Sequence, residues 1–305
     1  MRIVSLLPAA TEICFALGLG PDIVGVSPEC DHPPAARTRP VVSRSVLDYE
    51  GRSSAETSRL VGDRLAAGGA LYSVDEDALR ELAPDLILTQ GLCDVCAPSA
   101  EDVRAVASRL PDPPRVVSLD PHRLEDILGD IVRVGDACGV HDAAASFVDE
   151  LRARIERVWS WTAKVATRPR TLCLEWLDPL LAAGHWVPEL VALAGGEDVL
   201  GRAGEKSFRI EARDIALTAP EVAVLMPCGF HINRATKESS GLTGMPFWRD
   251  LPAARRDRVW VVDGSSYFSR PGPRIVDGLE ILAHILQPRL FPKPPPADAA
   301  RRWAG

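Results

Sequence analysis

The chain has 305 residues, of which 46% are hydrophobic and 25% charged, with a formal net charge of -7. That is the make-up of an ordinary globular protein long enough for two cores. The acidic balance argues against a general nucleic-acid binder, which needs a basic face, and no run approaches the roughly 18 apolar residues of a membrane span.

The N-terminus passes from Met1-Arg2 straight into Ile3-Val4-Ser5-Leu6-Leu7, which reads as a strand rather than a secretory leader. The expectation is a cytoplasmic protein, or a periplasmic one if a leader has been removed. Residues 3–7 are the first strand, and Pro8-Ala9-Ala10-Thr11-Glu12 opens a helix closed by Gly18 and Gly20. Strands follow at 23–27, Val41-Val42, 86–89 and 115–119, with helices at 57–67, 78–82 and 100–110. This alternation predicts a mostly parallel sheet covered on both faces.

Between residues 122 and 165 there is no strand signal. Leu124, Ile127, Leu128, Ile131, Val132 and Val134 share one helical face, and a longer helix is expected over 143–158. The rhythm then restarts, with strands at 171–174, 222–226 and 259–262 and helices at 188–194, 212–217 and 275–286. Leu82-Ala83-Pro84-Asp85-Leu86-Ile87-Leu88 is echoed by Leu217-Thr218-Ala219-Pro220-Glu221-Val222-Ala223-Val224-Leu225. The predicted fold class is α/β: two Rossmann-like lobes, at 1–121 and 169–290, joined through a helical segment at 122–168. Residues 291–305, rich in proline, are expected to form a flexible tail.

In such sheets, ligands bind outside the carboxyl ends of the strands, and here those ends carry the chemistry. Pro8 begins a helix whose free N–H groups suit an anion, or are simply capped. Glu29-Cys30-Asp31-His32 is either part of a site or a polar turn. The tip Thr89-Gln90-Gly91-Leu92-Cys93-Asp94-Val95-Cys96-Ala97 contains a CxxC spacing fit for a metal, a redox pair or plain packing. Seven cysteines, an odd number, do not suggest a disulfide framework. Cys14, Cys138 and Cys173 lie in apolar contexts and read as core. Cys30, Cys93, Cys96 and Cys228 are the candidate ligands for zinc or an Fe–S cluster.

In the second half, Glu175-Trp176 and Gly184-His185-Trp186 offer two indoles, an acid and an imidazole. Stacking on a flat macrocycle contributes about 0.5–1.5 kcal/mol per pair beyond burial, and His185 is a candidate ligand for iron or cobalt; the alternative is core aromatics. Pro227-Cys228-Gly229-Phe230-His231 and Tyr267-Phe268-Ser269-Arg270-Pro271-Gly272 complete the tips, Arg270 being suited to a carboxylate or phosphate. No Walker loop, GxGxxG, GxSxG or HExxH is present, so no catalytic residue is assigned and a binding protein is expected rather than an enzyme.

The opening Arg2-Ile3-Val4-Ser5-Leu6-Leu7-Pro8-Ala9-Ala10-Thr11-Glu12, the run from Leu19-Gly20 to Val24-Gly25-Val26, and Ala83-Pro84-Asp85-Leu86-Ile87 resemble the vitamin B12 (cobalamin)-binding members of the helical-backbone (class III) substrate-binding proteins of ABC importers. The resemblance spans residues 1–290, and siderophore and haem binders share its outline. It implies two α/β lobes joined by one long helix, with cobalamin or a related corrinoid or tetrapyrrole held in the cleft between them. Ser5, Leu6, Pro8, Glu29, Cys30, Gln90 and Cys93 would line one side. Glu175, Trp176, His185, Trp186, Phe230, Tyr267, Phe268 and Arg270 would line the other. The implied partner is a small molecule, with an ABC permease only if the chain is exported. The absence of an export signal and the Cys- and Trp-rich tips depart from the transport members.

Overall fold

Two runs of buried, β-rich sequence each nucleate a parallel sheet, and the crossover helices that parallel pairing requires cover its faces. The computed structural model describes residues 1–49, 51–91 and 97–303. In chain order the elements are β1 (Ile3–Ser5), α1 (Pro8–Ala16), β2 (Ile23–Val26), β3 (Ser43–Ser45), α2 (Ser54–Ala66), β4 (Tyr72–Val74), α3 (Glu76–Leu82), β5 (Leu86–Gln90), α4 (Ala100–Ala107), β6 (Arg115–Leu119), α5 (Leu124–Cys138) and α6 (His141–Thr162). There follow β7 (Arg170–Leu177), β8 (Leu180–Ala182), α7 (Val187–Leu193), β9 (Glu197–Asp198), β10 (Phe208–Arg209), α8 (Ala212–Thr218), β11 (Val222–Leu225), α9 (Ile232–Ser239), α10 (Pro252–Arg255), β12 (Val259–Val262), α11 (Gly264–Tyr267), α12 (Ile275–Leu286) and β13 (Ala300–Arg302).

The chain forms two compact α/β units. One comprises Met1–Arg52, Glu56–Pro121 and Glu125–Asp149; the other comprises Ser53–Ala55, His122–Leu124 and Glu150–Gly305. The chain passes from one to the other within the 22-residue helix α6, the long helix expected from sequence.

In the first unit the sheet order is β2-β1-β5-β6, all parallel. Strand β5 is buried at every position, as a central strand covered on both faces must be. Val4, Leu6, Ile87, Leu79 and Val103 form its core. The chain runs outward from β1 to β2, then returns to place β5 on the other flank of β1. The carboxyl ends of β1 and β5 are therefore a topological switch point, the place where such sheets leave a crevice.

The second unit has the order β10-β8-β7-β11-β12-β13, with β9 also pairing β7. Its parallel heart is β7-β11-β12, packed around Leu172, Leu174, Leu225, Phe230, Trp248 and Val261. The echo between the two halves is structural. Helices α3 and α8 each end at an alanine in the left-handed region, Ala83 (φ 40) and Ala219 (φ 42). Each then meets a proline and turns into a buried strand. The left-handed cap reverses the chain sharply, and the proline prevents the helix from continuing.

Three expectations are corrected. Val41 makes only an isolated bridge to Val26; the regular strand nearby is β3, paired antiparallel with β4. Cys138 is only partly buried, unlike Cys14 and Cys173. Residues 291–305 are not a frayed tail over their described length. The prolines steer the chain back so that β13 pairs with β12, Ala299 and Ala300 are buried, and Trp303 packs edge-on against Trp248. This strand covers an edge that would otherwise offer unpaired N–H and C=O groups. Deleting residues 297–305 is expected to lower unfolding free energy by about 2 kcal/mol or more and to promote self-association, measured by urea denaturation and light scattering.

Candidate functional site

The switch point of the first unit is built from polar groups tied to one another. The Thr11 hydroxyl lies 2.8 Å from Ser5 Oγ and 3.0 Å from Cys30 Sγ, and Ser27 Oγ lies 3.2 Å from the same sulfur. Ser5, Thr11, Ser27 and Cys30 are all buried, so this network fastens β1, β2 and α1 together at their common end. Burial raises the Cys30 thiol, outweighing the hydrogen bonds from Ser27 and Thr11 that pull it down. Its sulfur is thus held by the Thr11 and Ser27 hydroxyls. Leu6 and Gln90 are also buried, while Pro8 and Glu29 are partly accessible. Cys93 and Cys96 lie outside the described residues. Among the described residues no group of three or more His, Cys, Asp or Glu is placed to hold a metal, which leaves the four-cysteine zinc or Fe–S reading without support.

The carboxyl ends of β7, β11 and β12 are held together by backbone contact. The Cys228 N–H donates to Glu175 O at 2.9 Å, and the Ser265 N–H donates to Phe230 O. A Cβ on Gly264 would stand 2.5 Å from the Pro227 carbonyl oxygen, so only glycine lets the two tips approach this closely. The β7 register shifts between Leu174 and Trp176, and such irregularities re-aim side chains. Glu175 is pushed up by burial, against the Gly184 N–H and the Ser207 hydroxyl. Trp176, partly exposed, meets Phe230 edge-on with ring centroids 5.2 Å apart, and the Arg234 guanidinium lies 3.8 Å over the Phe230 ring. His231 Nδ1 is 3.0 Å from Asp263 Oδ2.

Several residues picked from sequence lie deeper than a ligand-lining role requires. Trp186 is buried and its indole N–H donates to Phe268 O; an amphipathic ring has found its partner inside the core. Phe230 and Phe268 are buried too, as is Arg270, which donates to Ser265 Oγ at 3.2 Å. His185 adopts φ 51 and packs against the His122 and Trp186 rings, 5.9 and 5.5 Å away. Tyr267 is partly accessible, with the Arg274 guanidinium 5.7 Å over its ring. Cys228 is partly buried at the β11 tip.

Two features escaped the sequence reading. One is the His231–Asp263 pair, since nothing in sequence joins residues 32 positions apart. The other is Asp130 on α5, 2% exposed. Burial pushes its carboxyl up to about 7; Arg133 opposes this from 3.0 Å, and Asp126 and Asp120 reinforce it. Its Oδ2 has no hydrogen-bond partner. Asp130 fell on the apolar face formed by Ile127, Ile131 and Val134, which was a readable signal.

Because its folded pKa lies above the ordinary 3.8, Asp130 favours the fold when protonated. That contribution is full below about pH 4 and is lost as pH rises through 7. Asp130→Asn is therefore expected to be more stable than the parent at pH 8, by at most about 4 kcal/mol. The two should converge near pH 4 in thermal melts run across the range.

Comparison with known proteins places this geometry in context. A family model described as "Periplasmic binding protein" matches residues 3–265. The vitamin B12-binding protein of Vibrio cholerae serotype O1 is 23% identical over 293 residues, covering 94% of this chain and 89% of that protein. Among solved structures, the periplasmic vitamin B12 binding protein of Vibrio cholerae aligns with a TM-score of 0.66 at 20% identity, covering 94% of this chain and 96% of that one. A periplasmic heme binding protein from Pseudomonas aeruginosa aligns with a TM-score of 0.71 at 21% identity, covering 100% of this chain and 98% of that one.

Proposed function

The chain belongs to the periplasmic binding protein family, and we propose that it binds a planar, metal-containing tetrapyrrole, cobalamin first and haem second. The observation that carries the reading is the partly exposed Trp176 indole at the β7 tip. It meets the buried Phe230 ring edge-on, and the Arg234 guanidinium lies over that second ring. An exposed indole edge suits a broad conjugated ring, and a cation beside it suits the carboxylate or phosphate groups that such ligands carry. Two further supports are near-full-length likenesses. One is to a curated vitamin B12-binding protein and the other to solved B12 and heme binders. In this reading the protein partner is an ABC permease.

The test is thermal melting and intrinsic tryptophan fluorescence with cyanocobalamin and, separately, ferric haem. Ligand at 100 times its Kd is expected to stabilise the protein by about 2.7 kcal/mol. Trp176→Ala is expected to weaken binding by roughly tenfold, in line with the loss of one aromatic contact. Unchanged melting and fluorescence with both compounds in large excess would rule the reading out.

A further inference from the structure

We infer that the second unit carries a separate site for a small carboxylate with an aromatic or branched apolar body, in the groove between α6, α12 and the proline-rich C-terminal segment. The groove has a volume of about 510 Å³, within the range of small-molecule sites. Helix α12 contributes Asp277, Glu280, Ile281 and His284, spaced three or four residues apart and so on one side of the helix. Helix α6 contributes Arg157, and the segment after α12 contributes Phe291, Lys293 and the four prolines between 292 and 296. Tyr267 of α11 joins the lining. All of these residues lie in one compact unit.

Contacts within the chain fix the shape of this groove. His284 Nδ1 lies 2.7 Å from Phe291 O, which ties the C-terminal segment to α12. The Phe291 ring meets the Trp161 ring of α6, centroids 6.4 Å apart. At the other end of the segment, Pro296 O accepts the Ala299 and Ala300 N–H groups just before and at the start of β13. The prolines between these ties hold their own φ and carry no N–H, so that side of the groove offers rings and no backbone donors. With Ile281, Phe291 and Tyr267 they suit a flat or branched apolar body.

The charges select the ligand class. Arg154 donates to both Glu280 oxygens, at 3.0 and 2.8 Å, and to Asp277 Oδ1, so the two acids of the groove are already held by a cation. Among the described residues Arg157 and Lys293 have no ion pair. Counting Arg154, three cations stand against two carboxylates, and the uncommitted charges are positive. A ligand carboxylate matches them, Arg157 with two parallel N–H groups. The Tyr267 hydroxyl makes no hydrogen bond among the described residues, and burial pushes it up from its usual range, so it keeps its proton as a donor.

The site is independent of tetrapyrrole binding, and success or failure of either leaves the other standing. The test titrates the full chain with 3-phenylpropionate, its neutral amide and the cation 3-phenylpropylamine, read by calorimetry and by tryptophan fluorescence, Trp161 being beside Phe291. The carboxylate is expected to bind at least about tenfold more tightly than the amide, as hydrogen bonds to a charged group imply, and the amine more weakly still. Arg157 and Lys293 are both exposed, so Arg157→Gln with Lys293→Gln is expected to leave the melting temperature unchanged and to abolish the preference for carboxylate over amide. Tyr267→Phe is expected to weaken the carboxylate severalfold. Equal affinity for the three compounds, a carboxylate preference that survives the double substitution, or no binding of any of the three at millimolar concentration overturns the inference.

Discussion

Parallel strand pairing is the constraint on which the rest depends. A parallel strand cannot be followed by its neighbour without a crossover, and each crossover here is a helix or a helix-bearing segment. Within each unit, every parallel strand therefore ends on the same edge, and whatever residues follow those strands are collected there. In the first unit this gathers Ser5, Ser27, Cys30 and Gln90. In the second it gathers Trp176, Phe230, His231 and Asp263. The apolar strands set the position of the edge, and the residues just beyond them set its chemistry.

The two edges are chemically unlike. The first is closed by hydroxyls around a buried thiol, and its polar groups satisfy one another. Such a network rigidifies its surroundings and offers little to a ligand directly. The second keeps an indole partly exposed and an imidazole half exposed. Its polarity is turned outward, and its fixed points are buried beneath it.

Much of this was legible in the sequence. Strand and helix alternation, the long helix and the central strand β5 followed from periodicity, because long regular segments repeat their signal. Elements of two or three residues, such as β8, β9 and β10, carry too few repeats to announce themselves. The proline-rich terminus misled for a different reason. Proline prevents helix and ladder, yet it also directs a chain, and the burial of Ala299 and Ala300 depends on a surface supplied by β12. At the site, residue types were readable and depth was not. Trp186 and Trp176 look alike in sequence, but the first reaches a carbonyl inside the core and the second lies at a register shift. The pairing of His231 with Asp263 needed the parallel neighbours β11 and β12 to be known first. Asp130 was the reverse case: its place on an apolar helical stripe was visible, and its meaning required the burial.

The close approach of Gly264 to the Pro227 carbonyl bears on how such a site changes over evolutionary time. Main-chain atoms make this contact, as they make the link from Cys228 to Glu175, and the His231–Asp263 pair ties the same two tips through side chains. The backbone part of this mortar does not depend on which side chains point outward. Exchange at an outward position such as Trp176 would leave those backbone links in place, so the side-chain chemistry of this edge can change without rebuilding its frame.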